Sequence, residues 1–443
     1  MSAKLAIEAR EGSIRVKGKQ KSQLQCDADS IAGAVSQRAC VYSGARVVLN
    51  PITDAIHLVH GPIGCASYTW DIRGSLSSGS ELFRNSFSTD LQEEDVIFGG
   101  EKKLARCIDE LALKYKPSLM FVYSTCVVGV IGDDITAVCK QAEQKHQIKV
   151  VPVQSSGFAG NKSAGYRAAC DALLQLIKSE GEPTAQSRKI NYLGDFNLAG
   201  EAWIIRNYLR EMGVELNATF TGDSSYASLR RAPAACLNIM QCAGSMTYLA
   251  QEMERVYNIP YMRVSFLGIE DTSRSLREIA AALNDKEISE KTERLIERET
   301  AEIRSLIEGY RVPLQGKKAA VFVGGGFKAV SLIKQFREVG MEVVMIGTQT
   351  GKQDDYDSMY SLACDGTVIL DDANPSELER FILQQGADLL VGGVKERPLA
   401  YKLGISFIDH NHERKHPLSG FAGAVNFAQE VYSTLCSPVW NYV

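Results

Sequence analysis

From Ala45 onward, short apolar runs alternate with longer amphipathic stretches. The runs Leu119–Tyr123, Lys149–Val153, Ile190–Leu193, Ala235–Met240, Ala319–Val323, Glu342–Ile346 and Asp388–Val391 are brief, rich in β-branched residues and bounded by Gly, Pro or Asp. Such runs read as strands buried on both faces. Between them, Glu101–Tyr115, Asp133–Gln144, Gly165–Ile177 and Met246–Tyr257 repeat apolar positions at helical spacing. Strand and helix in alternation predict parallel sheets joined by crossover helices, an α/β fold. Residues 1–39 lack the pattern and read as an irregular arm.

The chain has 443 residues, and single cores stop growing near ~250–300 residues. Composition shifts at the polar segment Ser179–Lys189 and at Val312–Lys318, after the charged helix Glu287–Tyr310. The predicted organisation is the arm 1–39 and three doubly wound, Rossmann-like parallel-sheet domains at 40–188, 189–311 and 312–443. Ligands of such sheets sit outside the carboxyl ends of the strands, so residues just after strands are the candidates for chemistry.

Charge narrows the function classes. A net charge of -4 with 23% charged residues gives no reason to expect a nucleic acid or a membrane as partner. Met1 to Gln25 is polar and lacks the apolar core of a secretion signal, and no run approaches the ~20 apolar residues of a membrane span. The expected location is cytoplasmic. There the eleven cysteines should be free thiols or metal ligands rather than disulfides.

Three of these cysteines stand in loop contexts. Cys40 ends the arm, Cys65 closes the turn His60-Gly61-Pro62-Ile63-Gly64, and Cys126 directly follows the strand Leu119–Tyr123. Thiolates on glycine-rich backbone can approach a bulky inorganic cluster whose sulfides accept amide hydrogen bonds. As residues alone they read equally well as three buried thiols, because no C-x-x-C pair is present. Cys242 follows the run Ala235–Met240 and opens a helix, where the positive N-terminus favours a thiolate; Cys236 lies inside the run and reads as core. Gly324-Gly325-Gly326 after another run allows close approach of an anionic ligand, with Lys328 nearby. Ile131-Gly132-Asp133-Asp134 reads as a helix start whose carboxylates cap free amides. His410, His412 and His416 cluster after the strand-like Gly404–Ile408 and are candidate proton donors or ligands, or simply a solvated loop.

The stretch from Cys40 to Asp134 resembles the nitrogenase component 1 superfamily. The resemblance is carried by His57 to Cys65, by Trp70-Asp71-Ile72-Arg73-Gly74, by Ser124-Thr125-Cys126 through Gly132-Asp133-Asp134, by Gln241-Cys242 with Ser245-Met246, and by Ser437-Pro438-Val439-Trp440. It implies three domains around a central cofactor site, in an α-type subunit. Cys40, Cys65 and Cys126 would hold an 8Fe–7S or 4Fe–4S relay cluster shared with a homologous β-type subunit in an α2β2 heterotetramer. Cys242 would ligate a larger, Fe8S9C-like cofactor, with Arg73, Lys328, Gly325, Gly326 and Asn411 beside it. An ATP-dependent iron protein would be the electron donor.

Departures from the pattern narrow the branch. Asn411 stands where dinitrogen-reducing subunits hold the cofactor with a histidine, and Asn161–Arg167 lacks the histidine and glutamine expected at the active face. This resembles the NifE-type branch, which matures a cofactor precursor, and nitrogenase-like reductases such as methylthio-alkane reductase, which act on a small organic sulfide. The single arm cysteine before Cys40, Cys26, and the histidines near 410 lean to the reductase, with His410 and His412 supplying protons. The maturation scaffold is the alternative.

Overall fold

The computed structural model of the chain describes residues 10–19, 24–26, 39–70, 85–177, 186–411, 414 and 416–441. The described residues form an α/β fold with three sheets, divided between two compact units. In chain order the strands are β1 (Ile14–Val16) in the arm, then β2 (Ala55–His60), β3 (Ser86–Ser88), β4 (Leu119–Ser124) and β5 (Lys149–Val153). Next come β6 (Gln186–Asp195), β7 (Glu215–Thr221), β8 (Ala235–Met240) and β9 (Tyr261–Arg263). The last are β10 (Lys318–Val323), β11 (Glu342–Thr348), β12 (Val368–Asp371), β13 (Leu389–Gly392) and β14 (Ser406–Asp409).

One unit comprises Ala39–Arg210 and Val214–Arg263 and carries two parallel sheets, ordered β3-β2-β4-β5 and β7-β6-β8-β9. Alternation along β4 explains its unbroken apolar sequence. Leu119, Phe121 and Tyr123 enter one core, while Met120 and Val122 enter another on the opposite face. The first of these cores also takes Leu193, Phe220 and Met240 from the second sheet. The boundary drawn near 188 therefore falls inside one compact unit: both sheets bury residues in a shared core. The helices that position the site here are α1 (Val41–Leu49), α2 (Ile63–Trp70), α3 (Cys126–Ile131), α4 (Lys162–Ile177) and α5 (Ala243–Tyr257).

β7 escapes an apolar reading because its sequence is ELNATFT. Its Asn217 is buried and satisfied sideways: Nδ2 donates to Asn191 Oδ1 of β6 at 3.0 Å, and Asn191 Nδ2 donates to Asn238 Oδ1 of β8 at 2.8 Å. A row of amides crossing three strands lets polar residues sit inside a sheet.

The other unit comprises Met1–Arg38, Glu211–Gly213 and Val264–Val443. Its sheet runs β1-β12-β11-β10-β13-β14, parallel except for β1. Ala319, Val321 and Val323 of β10 face one core; Ala320 and Phe322 face the other. The helices Ile269–Leu283 and Lys286–Leu314 also belong to this unit, so it begins well before residue 312.

The arm is not wholly irregular. Ile14 pairs with Leu370 and Val16 with Val368, adding an antiparallel edge strand, and Arg10 Nε lies 2.8 Å from Glu377 Oε1. Three residues centred on a charged Arg15 carry too little periodicity to be seen in sequence. No helix among the described residues is long and apolar enough to cross a membrane.

Candidate functional site

In each sheet the first of the parallel strands in sequence has one neighbour that follows it directly and another that returns to its opposite side. The crevice between β2 and β4, between β6 and β8, and between β10 and β13 is therefore a topological switch point. The candidate residues of the sequence gather at these three places.

At the first, β2 passes through Gly61-Pro62 into α2, which carries Cys65, and β4 passes through Thr125 into α3, which begins at Cys126. The two loops touch. A Cβ on Gly61 would lie 2.6 Å from Thr125 Cγ2 and 2.9 Å from its Cβ, so a larger residue at 61 would push Cys65 away from Cys126. The Thr125 hydroxyl donates to His60 O at 3.0 Å, tying the loops together.

His60 anchors the same turn. Its ring is wholly buried, with Nε2 3.0 Å from Asp133 Oδ2 and Nδ1 3.0 Å from Thr89 Oγ1. Burial lowers its pKa, and Asp133 opposes this. A neutral ring donating from Nε2 to the carboxylate accepts from the Thr89 hydroxyl at Nδ1, and that hydroxyl oxygen accepts the Gly61 N–H at 3.1 Å. Asp134 caps the following helix, accepting from Ala137 N as the sequence suggests, whereas Asp133 turns inward to His60 and Gly100 N.

Cys40 is the N-cap of α1, and its backbone bridges to Asn161 at the start of α4. The two helices cross with their backbones in contact: a Cβ on Gly165 would lie 2.8 Å from Gly44 Cα and 2.7 Å from Ala45 N. Only glycine permits that approach. The Gly157 N–H donates to Cys126 Sγ at 3.3 Å. A Cβ on Gly157 would lie 2.8 Å from that sulfur and 3.9 Å from Cys40 Cβ, so Gly157 sits between the two cysteines. The Cys65 thiol pKa is raised first by burial and then by Cys126 and Cys40. The structure thus gathers all three.

Among the described residues no three His, Cys, Asp or Glu side chains converge as ligands of one metal ion. A polynuclear cluster does not ask for that, because each thiolate binds a different iron. Three neighbouring thiols, half-exposed or exposed on glycine-rich backbone, with Cys126 already receiving an amide hydrogen bond, fit a group that brings positive charge and accepts several sulfur ligands.

At the second switch point Cys242 is the N-cap of α5, 15 residues long. Gly194, with φ of 81° at the end of β6, packs on it so closely that a Cβ would lie 2.7 Å from Cys242 N. The Tyr166 phenol pKa is raised by burial and, secondarily, by the Cys242 thiol, which brings α4 beside this cysteine as well as beside Cys40. Cys236 donates its S–H to Lys189 O, a packing role.

At the third, Gly324-Gly325-Gly326 follow β10, Gly393 follows β13 and Asn411 follows β14. Gly324 N donates to Asn411 Oδ1 at 3.3 Å, and a Cβ on Gly393 would lie 2.8 Å from Asn411 Nδ2. Asn411 thus faces the glycine loops. His410 faces the other way, wholly buried with its ring edge-on to Phe427 at 6.3 Å. Both ring nitrogens lack a hydrogen-bond partner among the described residues. Burial, then Lys328 and Arg414, push its pKa well down. Lys328 Nζ donates to His410 O at 3.1 Å, close to the glycine loop but partly engaged. Arg73 and His412 lie outside the described residues.

Glu396 escaped the sequence reading because Lys395-Glu396-Arg397 looks like a solvated charge run. It is 2% exposed, accepts the Gly393 N–H on Oε2 at 2.8 Å and has Gln349 Nε2 3.4 Å from Oε1. Burial pushes its pKa up to about 7. No feature of the sequence alone would have found it.

Parallel α/β sheets with the candidate residues gathered at their switch points define a doubly wound, Rossmann-like protein. Residues 40–436 match the nitrogenase component 1 type oxidoreductase family, and the chain belongs to it. It is 62% identical to the nitrogenase iron-molybdenum cofactor biosynthesis protein NifE of Clostridium pasteurianum, over 99% of this chain and 97% of that one. It is 56% identical to the protein of the same name from Methanosarcina barkeri, over 96% and 94% of the two chains. Its fold matches a solved structure of nitrogenase Cp1 at pH 6.5 with a TM-score of 0.92 and 29% identity, over 100% of this chain and 97% of that one.

Proposed function

We propose that the chain is the α-type subunit of a cofactor-maturation scaffold, which receives an iron–sulfur precursor of the iron-molybdenum cofactor, holds it during conversion and passes it on. The observation that carries this reading is the gathering of Cys40, Cys65 and Cys126 at one switch point, with Cys242 at another and α4 beside both. The relatives' shared name supports maturation over the sulfide-reductase reading to which the sequence leans.

In this reading Cys40, Cys65 and Cys126 hold a relay cluster, whose chemistry is to accept and deliver single electrons. Gly157 N–H stabilises the Cys126 thiolate, and the His60–Asp133 pair fixes the turn that presents Cys65. Cys242, the N-cap of α5, holds the precursor by one end. Asn411 and the loops at Gly324–Gly326 and Gly393 offer amide groups to an anionic ligand at the third switch point. An asparagine binds iron more weakly than an imidazole, which suits cargo that must leave. Ile63, Val130 and Phe158 are 55%, 72% and 73% exposed beside the three cysteines. Apolar residues left bare there support a homologous β-type subunit covering the cluster, in an α2β2 assembly served by an ATP-dependent iron protein.

The test is anaerobic purification with the co-encoded partner, followed by metal analysis and transfer of the bound cofactor to a cofactor-free nitrogenase. Cys242→Ala should abolish transfer and loosen the larger cofactor while sparing the relay signal; Cys65→Ala or Cys126→Ala should remove the relay signal. Loss of neither signal in these variants refutes the ligand assignments. Turnover of a volatile organic sulfide, without transfer, restores the reductase.

A further inference from the structure

Helix α1 carries a buried charge that no carboxylate among the described residues answers. Arg46 is 2% exposed, the one buried Lys or Arg among the described residues. Its Nη2 donates to the Ser86 hydroxyl, and its guanidinium carbon lies 5.4 Å from the centre of the Tyr123 ring. The Tyr123 hydroxyl is also within reach of the guanidinium, but among the described residues Nε and Nη1 have no hydrogen-bond partner and no carboxylate pairs with it. The nearby base, His57, cannot compensate it: its Nδ1 is 2.8 Å from Tyr123 Oη, and burial, with Arg46 itself, keeps the ring neutral. An isolated cation in a core is strongly unfavourable unless an anion joins it.

The position of α1 says which anion. Its N-cap is Cys40, six residues and roughly 9 Å of helical rise before Arg46. Two residues beyond Arg46, towards the far end, Val48 O accepts the hydroxyl of Thr221, the last residue of β7, in the sheet whose β8 leads to Cys242. Arg46 thus lies on the helix that runs from the cysteine trio to the cofactor-cysteine sheet. We propose that Arg46 is a charge-compensating residue for the anionic, sulfide- and thiolate-rich iron clusters of this unit, left without a carboxylate partner among the described residues so that a bound cluster supplies the anion. The inference rests on the function proposed above.

The experiment compares wild type, Arg46→Gln and Arg46→Lys in complex with the partner subunit, both cluster-free and iron-loaded. Cluster-free R46Q should melt at or above the wild-type temperature, because an unpaired buried charge has been removed. Iron-loaded R46Q should lose iron to a chelator several-fold faster than wild type, and R46K, which keeps the charge, should restore retention. Repeating the chelation with Cys242→Ala and with Cys65→Ala shows whether relay or cargo iron is the anion that Arg46 meets. A cluster-free R46Q complex that melts lower, or does not accumulate, overturns the inference, because the guanidinium is then satisfied by the fold. Unchanged iron loss from R46Q overturns it too. A wild-type complex that takes up no iron overturns the proposed function along with it, whereas iron-replete wild type with an indifferent R46Q overturns Arg46 alone.

Discussion

Replacing Glu396 by Gln gives a quantitative test of the third switch point. The amide keeps the side-chain shape and an oxygen to accept the Gly393 N–H, but it cannot ionise. In the folded chain the carboxyl pKa is pushed up to about 7, chiefly by burial; in the unfolded chain it returns to about 4.3. A folded pKa above the unfolded one means that the folded state holds its proton more tightly. The contribution of Glu396 to stability is therefore greatest below about pH 4 and is lost progressively until the folded group ionises near pH 7. With 1.36 kcal/mol per pKa unit, the loss is on the order of 3 kcal/mol. Cluster-free Glu396→Gln should match wild type near pH 4.5 and exceed it by about 3 kcal/mol at pH 8, some ~6–12 °C in melting temperature for a unit of this size. The assay is thermal unfolding of both proteins from pH 4.5 to 8.5. A stability difference that stays constant with pH would refute the reasoning, because it would show that Glu396 titrates alike in both states.

Gly157→Ala places a methyl group 2.8 Å from Cys126 Sγ and should more than halve relay iron, measured per complex, with little change in melting temperature. A full iron complement would show that the sulfur can move aside. Because the raised Cys65 pKa keeps a proton that iron must displace, iron uptake should weaken as pH falls from 8.5 to 6.5. Uptake titrations that superimpose across that range would count against Cys65 as a ligand.

How much was legible in the sequence differs between backbone and site. β5 and β8 lie where their apolar runs predict, and the helix Glu101–Tyr115 is matched end to end, because burial on both faces or on one stripe writes itself into local hydrophobicity. β7 and β1 were invisible for opposite reasons. The polar residues of β7 are paid for by a lateral amide row, and β1 is a short edge whose partner lies more than 350 residues away along the chain. The cysteines were legible by type and loop context, yet their convergence depends on Gly61 against Thr125 and Gly44 against Gly165, contacts that no local pattern encodes. The division of labour between His410 and Asn411 was illegible too. Adjacent residues leaving a strand point to opposite sides, and only the sheet's orientation says that the asparagine meets the glycine loops while the histidine meets Phe427.

The three sheets share a reason for carrying their chemistry where they do. At a switch point the two connections leave in opposite directions, so a crevice remains over the strand ends that no crossover helix fills. Side chains placed there can be exposed to a ligand while their backbone is held by two strands. Cys65 and Cys126, Cys242 beside Gly194, and Asn411 over Gly324 and Gly393 are three uses of one geometry. In each the glycines do the same task, removing the Cβ that would hold the loops apart. A thiol on either loop alone would be an ordinary cysteine. The neighbouring loop closes to within van der Waals contact and leaves Cys65 half-buried and Cys126 exposed beside it, the placement that the proposed ligand role needs.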